Sequence, residues 1–277
     1  MPIAVPQSIM SHAYVGTSGW NYKHWANGEF YPKDLRPAEW LMFFSKQFST
    51  VEINNSFYRL PSEAAYKNWR TQVPPGFVFS VKASRFLTHI KRLKDPAGPL
   101  DLFFSRTKHL RERLGPILFQ LPPRFKADPE RLQIFLDALQ RHTKTLGVRS
   151  ALEVRDASWL VGNTFDLLRR YNVALCLADW RDTYVTGPLT ANFVYVRRHF
   201  GSAGGGNYGH QDLDRDVNLT REWLKSGLDV YMYFNNDGGG HAIRNAAYVQ
   251  QALLNVGIDK RTRAGRSTKP RHSWRPL

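Results

Sequence analysis

The sequence predicts an α/β fold, a (β/α)8 barrel with parallel strands. Short runs rich in β-branched and aromatic residues alternate with longer amphipathic segments along the 277-residue chain. This alternation implies parallel strands joined by right-handed crossovers. Eight such runs without a break in composition favour a closed TIM-type barrel over a doubly wound sheet. No GxGxxG follows the first run, where the fingerprint of a doubly wound dinucleotide-binding sheet would lie.

The individual elements follow from these patterns. Strands are predicted at Ala13–Thr17, Thr50–Asn54, Phe77–Lys82, Pro116–Gln120, Arg149–Arg155, Val173–Asp179, Asn192–His199 and Asp229–Asn235. Helices are predicted at Ser62–Gln72, Leu100–Leu114, Asp128–Arg141, Thr164–Asn172, Thr220–Gly227 and Ala242–Leu254. The stretch after strand six is short and turn-like, so one helix is expected to be short or missing there. The barrel domain is therefore predicted at residues 13–256, between an N-terminal tail (1–12) and a basic, disordered C-terminal tail (257–277).

Composition excludes several classes of protein. A hydrophobic content of 42% is enough for a sizeable core, which excludes whole-chain disorder. No apolar run approaches the ~20 residues of a membrane helix. The N-terminus lacks the basic and apolar regions of a secretory signal. The single cysteine, Cys176, excludes an internal disulfide framework and cysteine-cluster metal sites. We therefore expect a cytoplasmic protein that makes no membrane contact.

The charge is strongly basic and partly concentrated in the tail. Lys and Arg outnumber Asp and Glu by 39 to 23, which gives a net charge of +16. Residues 260–277 hold seven bases and no acid, and subtracting these seven from +16 leaves +9 for residues 1–259. A basic tail can bind nucleic acid non-specifically through phosphate contacts, and it can equally serve only as a solubilising segment.

Polar side chains end every predicted strand. Strand residues two apart point to the same side, so several of these side chains come in pairs on one face. The carboxyl ends of the strands form the face where barrel enzymes carry their active sites. The strand-end residues are Thr17, Glu52, Asn54, Lys82, Gln120, Glu153, Arg155, Asp179, Arg197, His199 and Asn235. We predict Lys82, Glu153 and His199 as catalytic residues and the other eight as substrate-binding residues.

This cluster has a structural and a functional interpretation. Three acids (Glu52, Glu153 and Asp179) balance three fixed bases (Lys82, Arg155 and Arg197), so the set could form a neutral plug at the barrel top. Six desolvated charges are nevertheless costly compared with aliphatic side chains, which favours a functional role.

Two glycine-rich loops follow the last two strands. After strand seven, residues 201–209 include Gly204, Gly205 and Gly206; after strand eight, Gly238, Gly239 and Gly240 lead through His241 into a helix. Loops at these positions, with a helix N-terminus, form the usual phosphate site of such barrels. We therefore predict that they bind an anion, although flexible loops would have the same composition.

No metal and no cofactor are predicted. Glu52, Glu153, Asp179 and His199 are a ligand set that a divalent cation could accept. However, the sequence has no tight ligand motif such as HExxH, and the interleaved bases already neutralise these carboxylates.

A string of motifs then makes the chain recognisable. The segments are GTSGW with NYKHW (Gly16–Trp25), FYP (Phe30–Pro32), VEINNSFYRLP (Val51–Pro61), FSVKASRFLTHIKRL (Phe79–Leu93), LGPILFQLPPRF (Leu114–Phe125), ALEVRDASW (Ala151–Trp159), ADW (Ala178–Trp180), YVRRHFG (Tyr195–Gly201) and YMYFNNDGGGHAIRNA (Tyr231–Ala246). The chain thereby resembles the YecE-like family, domain of unknown function 72 (DUF72). The resemblance implies a TIM-type barrel and no settled activity. Phe200 interrupts the family's RLHG-like pattern, Arg198 replaces its aliphatic residue, and the glycine run Ala203–Gly206 is longer than usual.

Two functions of different class remain open. The first is an enzyme, favoured as a metal-independent lyase, isomerase or hydrolase, that acts on a small anionic substrate such as a phosphorylated or acidic carbohydrate or a nucleotide. In this hypothesis Lys82 and Glu153 are a proton-transfer pair, and Lys82 could alternatively form an imine. The second is a nucleic-acid-binding or nucleic-acid-processing protein that uses the basic tail and the segment 82–94. The sequence predicts no oligomeric state.

Overall fold

The computed structural model describes residues 11–26, 28–180, 183–185 and 187–255. The basic tail predicted at 257–277 lies outside these ranges, as does most of the predicted N-terminal tail. Of that tail, Ser11 donates a hydrogen bond to the carbonyl oxygen of Leu224 (2.7 Å), and the His12 N–H donates to the Asp229 carboxylate (2.8 Å). Residues 11 and 12 therefore contact the end of the barrel where the strands begin.

The strands confirm the predicted α/β barrel architecture. They are β1 (Ala13–Thr17), β2 (Thr50–Ile53), β3 (Val78–Lys82), β4 (Leu114–Gln120), β5 (Ser150–Glu153), β6 (Val173–Leu175), β7 (Leu177–Trp180), β8 (Thr183–Tyr184), β9 (Phe193–Arg198) and β10 (Asp229–Phe234). They form two five-stranded sheets, ordered β1-β10-β9-β7-β8 and β2-β3-β4-β5-β6. Every pairing is parallel except that of β7 with β8.

The hydrogen-bonded ladder is interrupted at two seams between these half-barrels. At one seam a single parallel bridge pairs Ser18, just after β1, with Glu52 of β2. At the other, the sixth predicted strand divides at Cys176 into β6 and β7, and the Cys176 N–H donates to the carbonyl oxygen of Leu152 (2.9 Å). The predicted fold class is thus confirmed, while the ladder of the barrel is not fully closed.

The α-helices lie outside the strands. They are α1 (Trp40–Gln47), α2 (Glu63–Gln72), α3 (Ala97–Thr107), α4 (Pro129–Leu146), α5 (Gly162–Arg170), α6 (His210–Lys225) and α7 (His241–Asn255). Local signals fix several ends: the Ser62 hydroxyl caps α2 by accepting from the Ala65 N–H, and the Asp128 side chain caps α4 by accepting from Arg131. Gly147, with φ of 63°, ends α4 in the left-handed conformation that glycine favours.

Some predicted boundaries were wrong. Helix α1 was missed because its apolar residues form a run without helical periodicity, and α6 begins ten residues before the predicted Thr220. The segment predicted as one helix over Leu100–Leu114 is α3 followed by a 3-10 segment, Lys108–Arg113. No helix occupies the described residues between β7 and β9, as predicted for the stretch after strand six. No helix in the described ranges is both long and apolar enough to cross a membrane.

Small residues on one side of the barrel make room for large ones on the other. Inside the barrel, Ala151, Ala174 and Ala178 pack in the same cluster as Tyr195 and Tyr233. A larger apolar cluster fills the space between the strands and the helices. Because bulky tyrosines fill the interior, the barrel is a packed core beneath the strand ends rather than a channel.

Gly16 gives a direct test of the packing between β1 and β2. A Cβ at this position would lie 2.3 Å from the Thr50 carbonyl oxygen, and backbone cannot move aside as a flexible side chain can. We expect Gly16→Ala to lower the free energy of unfolding by about 1–3 kcal/mol in urea denaturation. Gly98→Ala is the control, because a Cβ there meets nothing within 4 Å and alanine favours the helix. Equal stability of the two variants would contradict the packing described.

Candidate functional site

Arg197 lies at the centre of the strand-end cluster. Its guanidinium is fully buried and donates to Glu52 Oε1 (2.8 Å) and to Glu153 Oε2 (2.7 Å). These three residues come from β9, β2 and β5, so one side chain connects both halves of the barrel. The predicted convergence of Glu52, Glu153 and Arg197 at the carboxyl ends of the strands is therefore observed.

Glu153 is saturated with donors. Besides Arg197, it accepts hydrogen bonds at Oε1 from the Gln120 amide (2.7 Å) and from Arg155 Nε (2.9 Å). Burial alone would raise its pKa, but the positive charges of Arg197 and Arg155, together with the adjacent His199 ring, outweigh burial and hold that pKa well below its usual value. Glu153 is thus ionised at neutral pH, and its hydrogen bonds fix its neighbours.

Glu52 is held equally firmly from below. The Tyr195 hydroxyl donates to Glu52 Oε2 (2.7 Å), one layer deeper in the barrel. The Tyr233 hydroxyl, in the same layer, bonds Thr50 Oγ1 and Ser80 Oγ, each at 2.7 Å. These buried hydroxyls form a polar layer directly below the ion pairs. They donate hydrogen bonds to acceptors that water cannot reach.

Lys82 stands apart from this network of paired charges. Its side chain is only 7% exposed, and Nζ lies 4.1 Å from the centre of the Phe57 ring. Within the described ranges Nζ forms no ion pair and no hydrogen bond. Burial, reinforced by Arg197 and only partly opposed by Glu153 and Glu52, lowers the pKa of Lys82 from 10.5 to about 7. Its amine is therefore partly neutral at neutral pH.

His199 is contacted at both ring nitrogens. The Asn235 amide lies 3.1 Å from Nδ1, while Nε2 lies 3.4 Å from Arg197 Nη1 and 3.5 Å from Glu153 Oε1. Burial and Arg197 lower the pKa of His199, so the ring is neutral at pH 7. Asp179 fixes the same segment from outside by accepting from the His199 backbone N–H (2.6 Å) and from the Tyr208 hydroxyl.

Two predicted substrate-binding residues lie at the edges of the cluster. Asn54 Oδ1 is buried and accepts no hydrogen bond from any described group. The Thr17 hydroxyl, by contrast, donates to the Gly19 carbonyl oxygen (2.7 Å) and is thus used by its own loop. Among the predicted binding residues, Asn54 is therefore the one that presents an unsatisfied acceptor.

The two glycine-rich loops are joined to one another. The Asn236 amide donates to the Gly206 carbonyl oxygen (2.9 Å) and to the Asn245 side chain of α7 (2.8 Å). Gly204, Gly205 and Gly206 all have positive φ (88°, 57° and 84°), which permits the tight turn between β9 and α6. In the second loop Gly238, Gly239 and Gly240 form a 3-10 turn that leads directly into α7.

Charged side chains of both signs border the second loop. The His241 Nε2 atom lies 3.4 Å from the position that a Cβ on Gly205 would take, so this ring sits between the loops. Arg244 donates to the Gly239 carbonyl oxygen and to Glu29, and Asp237 lies 3.6 Å from His24. Anion binding by Gly204–Gly206, Gly238–Gly240 and His241 thus stays a prediction. Within the described ranges, no three His, Cys, Asp or Glu side chains come together in a way that could hold a metal ion.

Sequence reasoning missed several members of the site. Tyr195 precedes Arg197 by two residues and so shares its face, a signal that could have identified it. Tyr208 and Arg244 lie in a loop and a helix, where no strand periodicity points to the site. Phe57 lies in a 3-10 turn after β2, where strand periodicity likewise gives no signal, and its ring contacts the candidate catalytic amine.

The comparisons with known proteins agree with this architecture. The sequence model of the family described as "Protein of unknown function DUF72" matches residues 14–269, and the chain therefore belongs to that family. It is 26% identical over 274 residues to the UPF0759 protein YunF of Bacillus subtilis, covering 87% of this chain and 94% of that protein. A DUF72 protein structure from Thermotoga maritima is similar with a TM-score of 0.75 and 27% identity, over 88% of this chain and 99% of the other. One from Enterococcus faecalis has a TM-score of 0.73 and 19% identity, over 87% and 95%.

Proposed function

We propose that this member of the DUF72 family is an enzyme that acts on a small anionic substrate at the carboxyl ends of the barrel strands. Phosphorylated or acidic carbohydrates and nucleotides are the substrate classes of this proposal. The observation that carries it is the Lys82 amine, which is buried beside paired carboxylates without being neutralised by either of them. In its protonated form such an amine can pair with a negative charge of a bound ligand. In its neutral form it can react with a carbonyl group of that ligand.

Lys82 supplies the reactive group in this proposal. With a pKa of about 7, roughly half of the amine is neutral at pH 7, so its lone pair can remove a proton from a carbon acid. The same lone pair can attack a carbonyl carbon; loss of water then gives an imine, as expected of a metal-independent lyase or isomerase. Both reactions need a lysine whose charged form is disfavoured by its surroundings.

The remaining residues of the site bind the substrate and hold the reactive groups in position. Glu153 and Arg197 are too firmly paired to exchange protons, so Lys82 takes the proton-transfer role that the sequence pattern divides between Lys82 and Glu153. Glu153 then acts by fixing Arg155 and His199 at the mouth of the barrel. Asn54 Oδ1, an unsatisfied acceptor, suits a substrate hydroxyl or amine. At pH 7 the protonated fraction of Lys82 would attract an anionic group of the substrate, and the neutral fraction is the one that reacts.

A thermal-shift screen of the full chain tests the proposal. The ligands are phosphorylated sugars, nucleotides, organic acids and short oligonucleotides at fixed ionic strength. A ligand at about 100 times its dissociation constant should stabilise the protein by roughly 2.7 kcal/mol. We expect at least one small anion to do so, with the shift lost in Lys82→Met.

Lys67→Met is the matched control, because Lys67 lies on α2 with 59% of its side chain exposed. The proposal requires that the small-anion shift persists in this variant. A shift that survives Lys82→Met would contradict it. Stabilisation by oligonucleotides alone would instead favour the nucleic-acid-binding alternative.

A further inference from the structure

A polar cavity lies at the opposite end of the barrel from the candidate active site. Its volume is about 400 Å³, and it is bounded by the last turns of α4 and α5 and by the first residues of β5 and β6. The lining residues include Lys144, Arg149, Ser150, Arg170, Asn172 and Asn192. This volume falls within the range of small-molecule sites, and most of the lining residues have polar side chains.

Ser150 is a lining residue of this cavity, and its buried hydroxyl is unsatisfied. The residue is 2% exposed, and its Oγ forms no hydrogen bond with any described group. It is the first residue of β5 and shares the outward face of that strand with Leu152, which packs in the core beneath the helices. A buried hydroxyl is normally paired, so an unpaired one in a cavity wall indicates a partner that comes from a ligand.

The cavity wall is basic. It contains Lys144, Arg149 and Arg170, and none of the lining residues is an Asp or Glu. Arg149 is neutralised by Asp229, to which it donates at 2.6 Å. Lys144 and Arg170, in contrast, form no ion pair within the part of the chain that the structure describes. Two cations thus remain available to a negatively charged ligand.

The helix ends only partly offset these two cations. The carboxyl ends of α4 and α5 each carry a partial negative charge of about half a unit. The Val148 N–H already binds the Thr143 carbonyl oxygen (3.0 Å), which reduces the exposed part of the α4 dipole. The local charge therefore stays positive. The amides of Asn172 and Asn192, fixed to each other by a hydrogen bond of 3.1 Å, add neutral polar groups on the same wall.

We propose that this cavity is a second binding site, which takes the phosphate group of a small phosphorylated molecule or the free phosphate ion. Arg170 and Lys144 neutralise the phosphate, and the Ser150 hydroxyl donates to one of its oxygens. The inference is independent of the proposed enzymatic function, because the cavity shares no residue with the cluster around Lys82. Ser150 and Glu153 nevertheless mark the two ends of β5, so the same strand connects this cavity with the candidate active site.

Calorimetric titration of the full chain with inorganic phosphate and with ribose 5-phosphate, at constant ionic strength, tests this site. We expect saturable binding that weakens about tenfold in Arg170→Gln and several-fold in Ser150→Ala, since each change removes a hydrogen bond to the anion. Arg169→Gln is the control. It removes the same charge one residue away, from a side chain that pairs with Asp166 and does not line the cavity.

The comparison between variants decides the outcome. Binding that Arg169→Gln weakens as much as Arg170→Gln would be a general effect of charge and would overturn the proposal. So would the absence of binding, or binding unaffected by both Ser150→Ala and Arg170→Gln. Binding lost in Lys82→Met would belong to the barrel mouth and likewise count against this site. Tighter binding of ribose 5-phosphate than of phosphate would indicate that the site binds a phosphate ester. Equal or weaker binding of ribose 5-phosphate would indicate that the site binds the free phosphate ion.

Discussion

Replacing Arg197 by methionine is expected to destabilise the protein by about 3–5 kcal/mol, the usual cost of leaving buried charges without their partner. Glu52 and Glu153 are both fully buried, and Arg197 is the cation that they share. Without it, the two carboxylates would either repel each other in a medium of low polarity or take up protons. Urea denaturation at pH 7 measures the loss.

Two further variants show whether the loss comes from these ion pairs. Arg215→Met removes an exposed arginine of α6, 3.8 Å from Asp212, and is expected to change stability by less than about 0.5 kcal/mol. Combining Arg197→Met with Glu52→Gln and Glu153→Gln removes the unpaired charges and should recover part of the loss. If the triple variant were less stable than Arg197→Met alone, the account of the network would be wrong.

Lys82→Met is expected to stabilise the protein at low pH, by up to about 5 kcal/mol at pH 6. The folded protein holds the Lys82 proton less tightly than the unfolded chain does, because burial lowers the pKa from 10.5 to about 7. The cost is therefore present in full below pH 7 and is lost as the pH rises towards 10.5. At pH 10 the two proteins should differ by less than about 1 kcal/mol.

The pH dependence of the difference between the two proteins is the informative quantity, because titrations that they share cancel. Unfolding free energies measured from pH 6 to pH 10 should converge as the pH rises. A constant gap, or a Lys82→Met protein that is the less stable one at pH 6, would contradict a depressed pKa. If removing Lys82 stabilises the protein, this residue is kept at a cost in stability, as is expected of a residue that is needed for function.

Strand periodicity predicted which face each strand-end residue occupies, and most of the site follows from it. Glu52, Glu153 and Arg197 point inwards as their positions imply, whereas Arg198, the next residue along β9, points outwards and pairs with Asp216 of α6 at 2.8 Å. Periodicity cannot predict distances between strands that are far apart in sequence. Periodicity therefore does not show whether the Glu153 carboxylate is free to exchange a proton or is fully occupied by hydrogen-bond donors.

The parts of the fold that were missed have local causes. The division of the sixth strand at Cys176 depends on which neighbour each half pairs with, β5 or β9, and no residue pattern marks that change. The early start of α6 follows a glycine-rich loop whose turns are fixed by backbone hydrogen bonds, such as that from the Gly201 N–H to the Gly206 carbonyl oxygen (3.0 Å). The basic tail lies outside the described residues, so its predicted contact with nucleic acid stays a prediction.

The titration of Lys82 tests the central claim most directly. Competitive labelling with trace acetic anhydride between pH 5 and pH 11, followed by mass spectrometry of the peptides, gives the reactivity of each lysine as a function of pH. Lys82 should titrate near pH 7, well below the value of about 10.4 that an unperturbed lysine side chain has in a model peptide. If Lys82 titrated near that model-peptide value instead, the amine would be an ordinary charged group, and the proposed reactive lysine would be wrong.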